Sequence, residues 1–246
     1  MTAPILAVRG LTRRFGGLTA VNDVSFDLAP GEVLGLIGPN GAGKTTLFNL
    51  LVGLHKPTAG SIRLMAAEIA GLAPNRVARA GMTKTFQNVA LFQESTVLDN
   101  VLTGGLLHDG VAAARLRAEA ILDRVGLAAI AHKLAGDLSF PERARVEVAR
   151  ALCTRPAILL LDEVMAALTP VEMEAFLALV RSLRADGLTL IVVEHHMHAI
   201  MTLCDRILVL NFGGVIAEGA PHAVAHDPAV IEAYLGKAYA AGGAHA

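Results

Sequence analysis

The chain has 246 residues, of which 54% are hydrophobic and 17% charged, and its formal net charge is −1. That length suits one large α/β domain, with or without a small inserted lobe, and the near-neutral charge with no basic run of five residues argues against a nucleic-acid partner. The high apolar content does not come from a spanning helix, because no run approaches the ~18 apolar residues that one requires. The opening Met1-Thr2-Ala3-Pro4-Ile5 lacks the basic and apolar regions of a signal peptide. Cys153 and Cys204 have no CxxC spacing, so they read as reduced core residues of a cytosolic protein.

From residue 5 to residue 28, two runs of alternating apolar and polar residues are broken at Gly16-Gly17, which predicts antiparallel strands. Phe15, just before those glycines, is either a core aromatic or a platform for an adenine ring. An apolar strand over 33–37 then runs into Gly38-Pro39-Asn40-Gly41-Ala42-Gly43-Lys44-Thr45-Thr46, and a helix is predicted over 45–51. This segment satisfies G-x-x-x-x-G-K-[ST] in its strand, loop, helix context, so it is a phosphate-binding loop. Its glycines let consecutive backbone N–H groups turn toward an anion at a helix N-terminus. Lys44 supplies a point charge for the β- and γ-phosphates, and the Thr45 hydroxyl suits Mg²⁺.

A further strand is predicted over 61–65 and another over 81–87, ending at Gln87, a position where α/β folds place ligand-facing groups. Thr96 and Asp99 form a capping-box pattern, and helical periodicity recurs over 112–127. Ser139, Pro141 and Glu142 open another helix, with a second capping box and a proline in the first turn. Residues 157–161 form an uninterrupted apolar run, as in strands buried on both faces, and it ends in Asp162 and Glu163. With a phosphate loop in the same chain, acids at such a strand end read as an Mg²⁺ ligand and a catalytic carboxylate. A helix over 171–185, a buried strand over 188–193 ending at Glu194-His195-His196, a hairpin over 206–218 and a short helix over 229–235 complete the series. His195, His196 and His198 lack H-E-x-x-H spacing and a Cys partner, so one strand-end His beside phosphates is a better reading than zinc.

This order of motifs, with Arg145-Val146-Glu147-Val148-Ala149-Arg150 in the capped helix, resembles an ABC-type ATP-binding cassette over about 5–236. Within that family the chain is most similar to ATPase subunits of branched-chain amino acid importers. The marks are Arg14-Phe15-Gly16-Gly17, Thr85-Phe86-Gln87-Asn88, Leu91-Phe92, Glu194-His195, Asn211-Phe212-Gly213-Gly214 and the stretch from Pro228 to Gly236. The resemblance implies a P-loop α/β core with a mostly parallel sheet, an antiparallel β subdomain and an inserted helical subdomain. It places the core with its β subdomain at 1–87 and 138–236 and the insert at 88–137, while the Ala/Gly-rich 237–246 reads as a disordered tail.

The resemblance also implies roles. Phe15 would stack on adenine; Gly38, Asn40, Gly41, Ala42, Gly43, Lys44, Thr45 and Thr46 would hold the phosphates of ATP. Thr45, Gln87 and Asp162 would serve Mg²⁺, Glu163 would polarise the attacking water and His195 would bond the γ-phosphate. Gln87 would also report nucleotide state to the insert, which in the family docks on a membrane subunit. The implied partners are membrane-spanning permease subunits, a second ABC ATPase subunit and, indirectly, a periplasmic or extracellular solute-binding protein, at the cytoplasmic face of the membrane.

Three positions depart from the family pattern. The signature, L-S-G-G-Q in the family, is Leu138-Ser139-Phe140-Pro141-Glu142; the proline after the catalytic Glu is Val164; the D-loop acid or amide is Thr169. The signature and D-loop act across the family's head-to-tail dimer, so a non-identical partner cassette is expected. A urea or amide importer subunit and a non-hydrolysing regulatory module are the alternatives. A GTPase is disfavoured because no N-K-x-D sequence occurs.

Overall fold

The computed structural model describes residues 3–86 and 90–235. In chain order the elements are β1 (Leu6–Phe15), β2 (Leu18–Leu28), β3 (Val33–Ile37), α1 (Lys44–Leu51), β4 (Ala59–Leu64), β5 (Ala67–Glu68), α2 (Pro74–Arg79) and β6 (Met82–Lys84). They continue as α3 (Val97–Gly105), α4 (Val111–Arg124), α5 (Phe140–Cys153), β7 (Ile158–Asp162), α6 (Pro170–Ala185) and β8 (Thr189–Val193). The last are α7 (Met197–Leu203), β9 (Arg206–Asn211), β10 (Gly214–Gly219), α8 (Pro221–Ala225) and α9 (Pro228–Leu235). Two compact units result, one from residues up to Ala73 and from Ile191 onward, the other from Pro74–Leu190.

In the first unit β1 and β2 pair antiparallel from Leu6 opposite Leu28 to Phe15 opposite Leu18. β4 lies on the other side of β1 and carries β5, giving the order β2-β1-β4-β5. Alternation accounts for it: Leu6, Val8, Val24, Phe26 and Leu28 are buried while the residues between them are more exposed. β3, buried at all five positions, runs parallel to β9, with Leu34 opposite Arg206 and Ile37 opposite Val209, and β10 is antiparallel to β9. The Val33 N–H donates to the Asp205 carboxylate at 2.9 Å, which fixes where β3 begins.

In the second unit β6 runs parallel to β7, with Met82 opposite Ile158 and Lys84 opposite Leu160. β7 is buried throughout, as its unalternated sequence requires. α3, α4 and α5 pack around Val97, Val101, Ala114, Leu122, Val146 and Cys153. Each of α3, α5 and α6 starts on a side-chain cap. Thr96 accepts from the Asp99 N–H at 3.1 Å, and the Ser139 and Thr169 N–H groups donate to Glu142 and Glu172 at 2.7 and 2.8 Å. Both cysteines are buried and free, and burial pushes the Cys153 thiol up to about 11, which leaves it unreactive.

β6 ends at Lys84, short of the strand expected over 81–87. The sequence does not predict β5, α2, α7 or α8, each of seven residues or fewer and too short to repeat a hydrophobic pattern such as i, i+3, i+4, i+7.

Candidate functional site

The phosphate loop joins β3 to α1 in the first unit. Gly38 and Gly43 have φ of 152° and 104°, and a Cβ there would stand 2.2 Å from the Leu210 carbonyl oxygen and 2.4 Å from that of Ala20. The backbone course is therefore available to glycine alone at both points. The loop is braced by its own bonds and by the turn after β9. Ala42 N–H donates to Pro39 at 3.1 Å, Gly213 N–H donates to Ala42 at 3.0 Å, and Asn22 N–H donates to Gly213 at 2.8 Å. Lys44, 7% exposed, donates from Nζ to the carbonyls of Gly38 at 2.6 Å and Pro39 at 3.0 Å. Asn40, Gly41 and Thr45 are exposed and Thr46 is half-buried, so the outer face of the loop is open to solvent. α1 starts at Lys44 with no acidic residue in its first turn, so its own side chains leave the positive helix end open to an anion.

Two further groups of this unit belong to the prediction. Phe15 ends β1 at 38% exposure, with the Arg13 guanidinium 4.4 Å from its ring centroid and the His55 ring edge-on at 5.4 Å. It is a surface aromatic, able to present a ring face rather than fill the core. His195 follows β8, is exposed, and lines an apolar cavity of about 370 Å³ with Ile37, Glu194 and Tyr234. Burial pushes the Tyr234 phenol up, and a hydrogen bond with the Gly38 backbone partly offsets it, which ties α9 to the first glycine of the loop.

The two carboxylates lie in the second unit. Asp162 closes β7 with its side chain 3% exposed, and its N–H donates to Thr85 Oγ1 at 3.1 Å. The Lys84 ammonium stands 3.3 Å from Asp162 Oδ2. Glu163 follows at φ 53°, a left-handed conformation uncommon for a non-glycine residue. Such backbone outliers concentrate at functional sites, where the surroundings hold them in place. Gln87 falls outside the described residues, as does the tail at 237–246.

The expected departures have structural counterparts. Pro141 sits in the first turn of α5, where it removes one N–H from the helix end. Glu142 turns back onto the same end, accepting from the Ser139 N–H at 2.7 Å and its hydroxyl at 2.8 Å, with the Lys133 ammonium at 3.7 Å. The Ser139 N–H bond, with those of the Ser139 hydroxyl and Lys133, holds the Glu142 carboxyl below its usual value. Thr169 serves as the N-cap of α6.

The profile of the ABC transporter family matches residues 21–166 of the chain. The chain belongs to the ABC transporter family. It is an ATP-binding cassette that hydrolyses ATP. The profile of the branched-chain amino acid ATP-binding cassette transporters matches residues 215–240. The high-affinity branched-chain amino acid transport ATP-binding protein LivG of Salmonella typhimurium is 44% identical over 256 residues, covering 97% of this chain and 100% of LivG. The corresponding protein BraF of Pseudomonas aeruginosa is 43% identical over 255 residues, covering 97% of this chain and 100% of BraF. Among solved structures, a nucleotide-free ATP-binding cassette from an ABC transporter superposes with a TM-score of 0.88 at 29% identity, over 96% of this chain and 100% of that one. Another, an ATP-binding cassette of an ABC transporter in its ADP conformation, gives 0.87 at 30% identity over 96% and 100%.

The donors that the resemblance implies for Mg²⁺ are the Thr45 hydroxyl in the first unit and the Asp162 carboxylate in the second, with Gln87 outside the described residues. Among the described residues no group of three or more His, Cys, Asp or Glu is arranged to hold a metal ion. Mg²⁺ characteristically takes one or two carboxylates and completes its shell with substrate phosphates and water, so this sparse set fits it. Three neighbours of the expected groups have no role in the sequence reading: Lys84, the Gly213 turn against the loop, and Tyr234, the last two lying within strings that carry the resemblance. The Asn211-Phe212-Gly213-Gly214 string was the only advance signal of the second.

Proposed function

We propose that the chain is the ATP-hydrolysing subunit of an importer for branched-chain amino acids. Full-length similarity to LivG and BraF, joined to the match of residues 215–240, carries this reading. The loop glycines and Lys44 hold the phosphates and Phe15 takes the adenine. Thr45, Gln87 and Asp162 serve Mg²⁺, which when bound neutralises charge developing on the transferred phosphoryl group. Glu163 orients the attacking water, and His195 donates to the γ-phosphate. Residues 88–137 dock on membrane-spanning permease subunits at the cytoplasmic face, and a solute-binding protein acts through those subunits. No helix among the described residues is long and apolar enough to cross a membrane, which accords with a peripheral subunit.

The partner cassette is non-identical in this reading. A signature helix that presents N–H groups to a phosphate is poorly served by Pro141 and by the Glu142 carboxylate seated on the same turn. One charge-assisted hydrogen bond is worth about 1.5–3 kcal/mol, hence roughly 10- to 150-fold, so the nucleotide relying on this signature is weakened and not lost. Tagged chain purified from native membranes should bring down two permeases and a second cassette with an intact signature. Recovery of a homodimer whose turnover is high and unchanged by Pro141→Gly would refute the asymmetric assembly.

A further inference from the structure

The carboxylate assigned here to Mg²⁺ already holds a cation of its own chain. Lys84 ends β6 and Asp162 ends β7, and their side chains are 7% and 3% exposed with Nζ and Oδ2 3.3 Å apart. The strand register imposes this meeting: Lys84 lies opposite Leu160, Thr85 N–H donates to the Leu160 carbonyl at 2.9 Å, and Thr85 Oγ1 accepts from the Asp162 N–H. The same ammonium also faces an aromatic ring, since Nζ lies 5.1 Å from the Phe86 ring centroid, within cation–π range. Burial makes the pairing consequential, because an ionised carboxylate removed from water is costly unless a cation neutralises it.

We propose that Lys84 is an exchangeable counter-ion of Asp162, neutralising the carboxylate in the nucleotide-free chain and competing with Mg²⁺ for it. The ammonium and the divalent ion repel one another across a poorly solvated space, so Mg²⁺ binding requires Lys84 to withdraw toward Phe86. Lys84 then sets the Mg²⁺ concentration at which the cassette loads. This rests on the assignment of Asp162 to Mg²⁺, so the test separates the two claims.

In the full chain, Mg²⁺ is titrated by calorimetry in the presence of saturating ADP, and ADP affinity is measured separately in EDTA. Lys84→Met should lower half-saturating Mg²⁺ about tenfold and lower the melting temperature of the nucleotide-free protein, while ADP affinity in EDTA stays at the wild-type value. Lys84→Arg should retain wild-type Mg²⁺ affinity, and Lys84→Gln stands in for Lys84→Met if the latter does not fold. The gain from Lys84→Met should vanish in an Asp162→Asn background. Unchanged or weaker Mg²⁺ binding in Lys84→Met and Lys84→Gln overturns the proposal while leaving Asp162 in its role. Mg²⁺ dependence surviving intact in Asp162→Asn alone would overturn the underlying assignment.

Discussion

Gly43→Ala, compared with Gly41→Ala, measures how far the phosphate loop depends on backbone space and how far on backbone freedom. Both glycines have positive φ, 104° and 78°, but a Cβ at Gly43 would lie 2.4 Å from the Ala20 carbonyl oxygen whereas one at Gly41 meets nothing within 4 Å. A left-handed conformation costs an alanine about 1–2 kcal/mol, which is the whole cost at position 41. At position 43 the overlap forces β2 or the loop to shift, adding about 1–3 kcal/mol as for other overpacked sites. The totals, about 1–2 against about 2–5 kcal/mol, correspond to losses of roughly 5- to 30-fold and 30- to several thousand-fold. The loss is shared between folding and ligand binding, so the quantity to compare is the sum of the changes in urea unfolding free energy and in ADP binding free energy by calorimetry. Equal sums for the two variants, or a Gly43→Ala chain with both at wild-type values, would refute the steric account.

Two further outcomes follow from the second unit. Glu163→Gln should preserve ATP affinity and slow hydrolysis in the assembled transporter by about 10²- to 10⁴-fold, the usual contribution of a positioned base; single-turnover rates decide it, and an unchanged rate means that another group orients the water. Burial raises the Glu147 carboxyl, an effect that Arg150 only partly offsets, so its protonated form is favoured more in the folded chain than in the unfolded one. Its contribution is fully present below the unfolded value and is lost as pH rises through the higher folded value. Glu147→Gln should therefore lose less stability than wild type in urea melts as pH rises above the usual carboxylate range, and parallel pH profiles would contradict the assignment.

Much of the core was legible because its signals are local. β3 and β7 are unalternated apolar runs, Gly16-Gly17 marks the β1–β2 turn, and the phosphate loop is contiguous in sequence. The caps on α3 and α5 were legible for the same reason, each being a pattern four residues long. The Lys84–Asp162 pair could not be read that way, since 78 residues separate partners that only the β6–β7 register brings together. Nor could the brace on the loop, where Gly213 meets Ala42 through backbone groups that carry no side-chain signature. The left-handed φ of Glu163 was equally hidden, because a glutamate there looks like any acid after a strand.

Uptake by the reconstituted assembly tests the central claim most directly. The chain, its co-purified membrane partners and the solute-binding protein are placed in liposomes with internal ATP and Mg²⁺, and entry of labelled leucine, isoleucine, valine and urea is followed. Branched-chain amino acids should accumulate with ATP, urea should not, and Lys44→Ala should abolish accumulation by removing the counter-charge at the phosphate loop. Undiminished uptake with Lys44→Ala, or uptake of urea in place of the amino acids, would contradict the account.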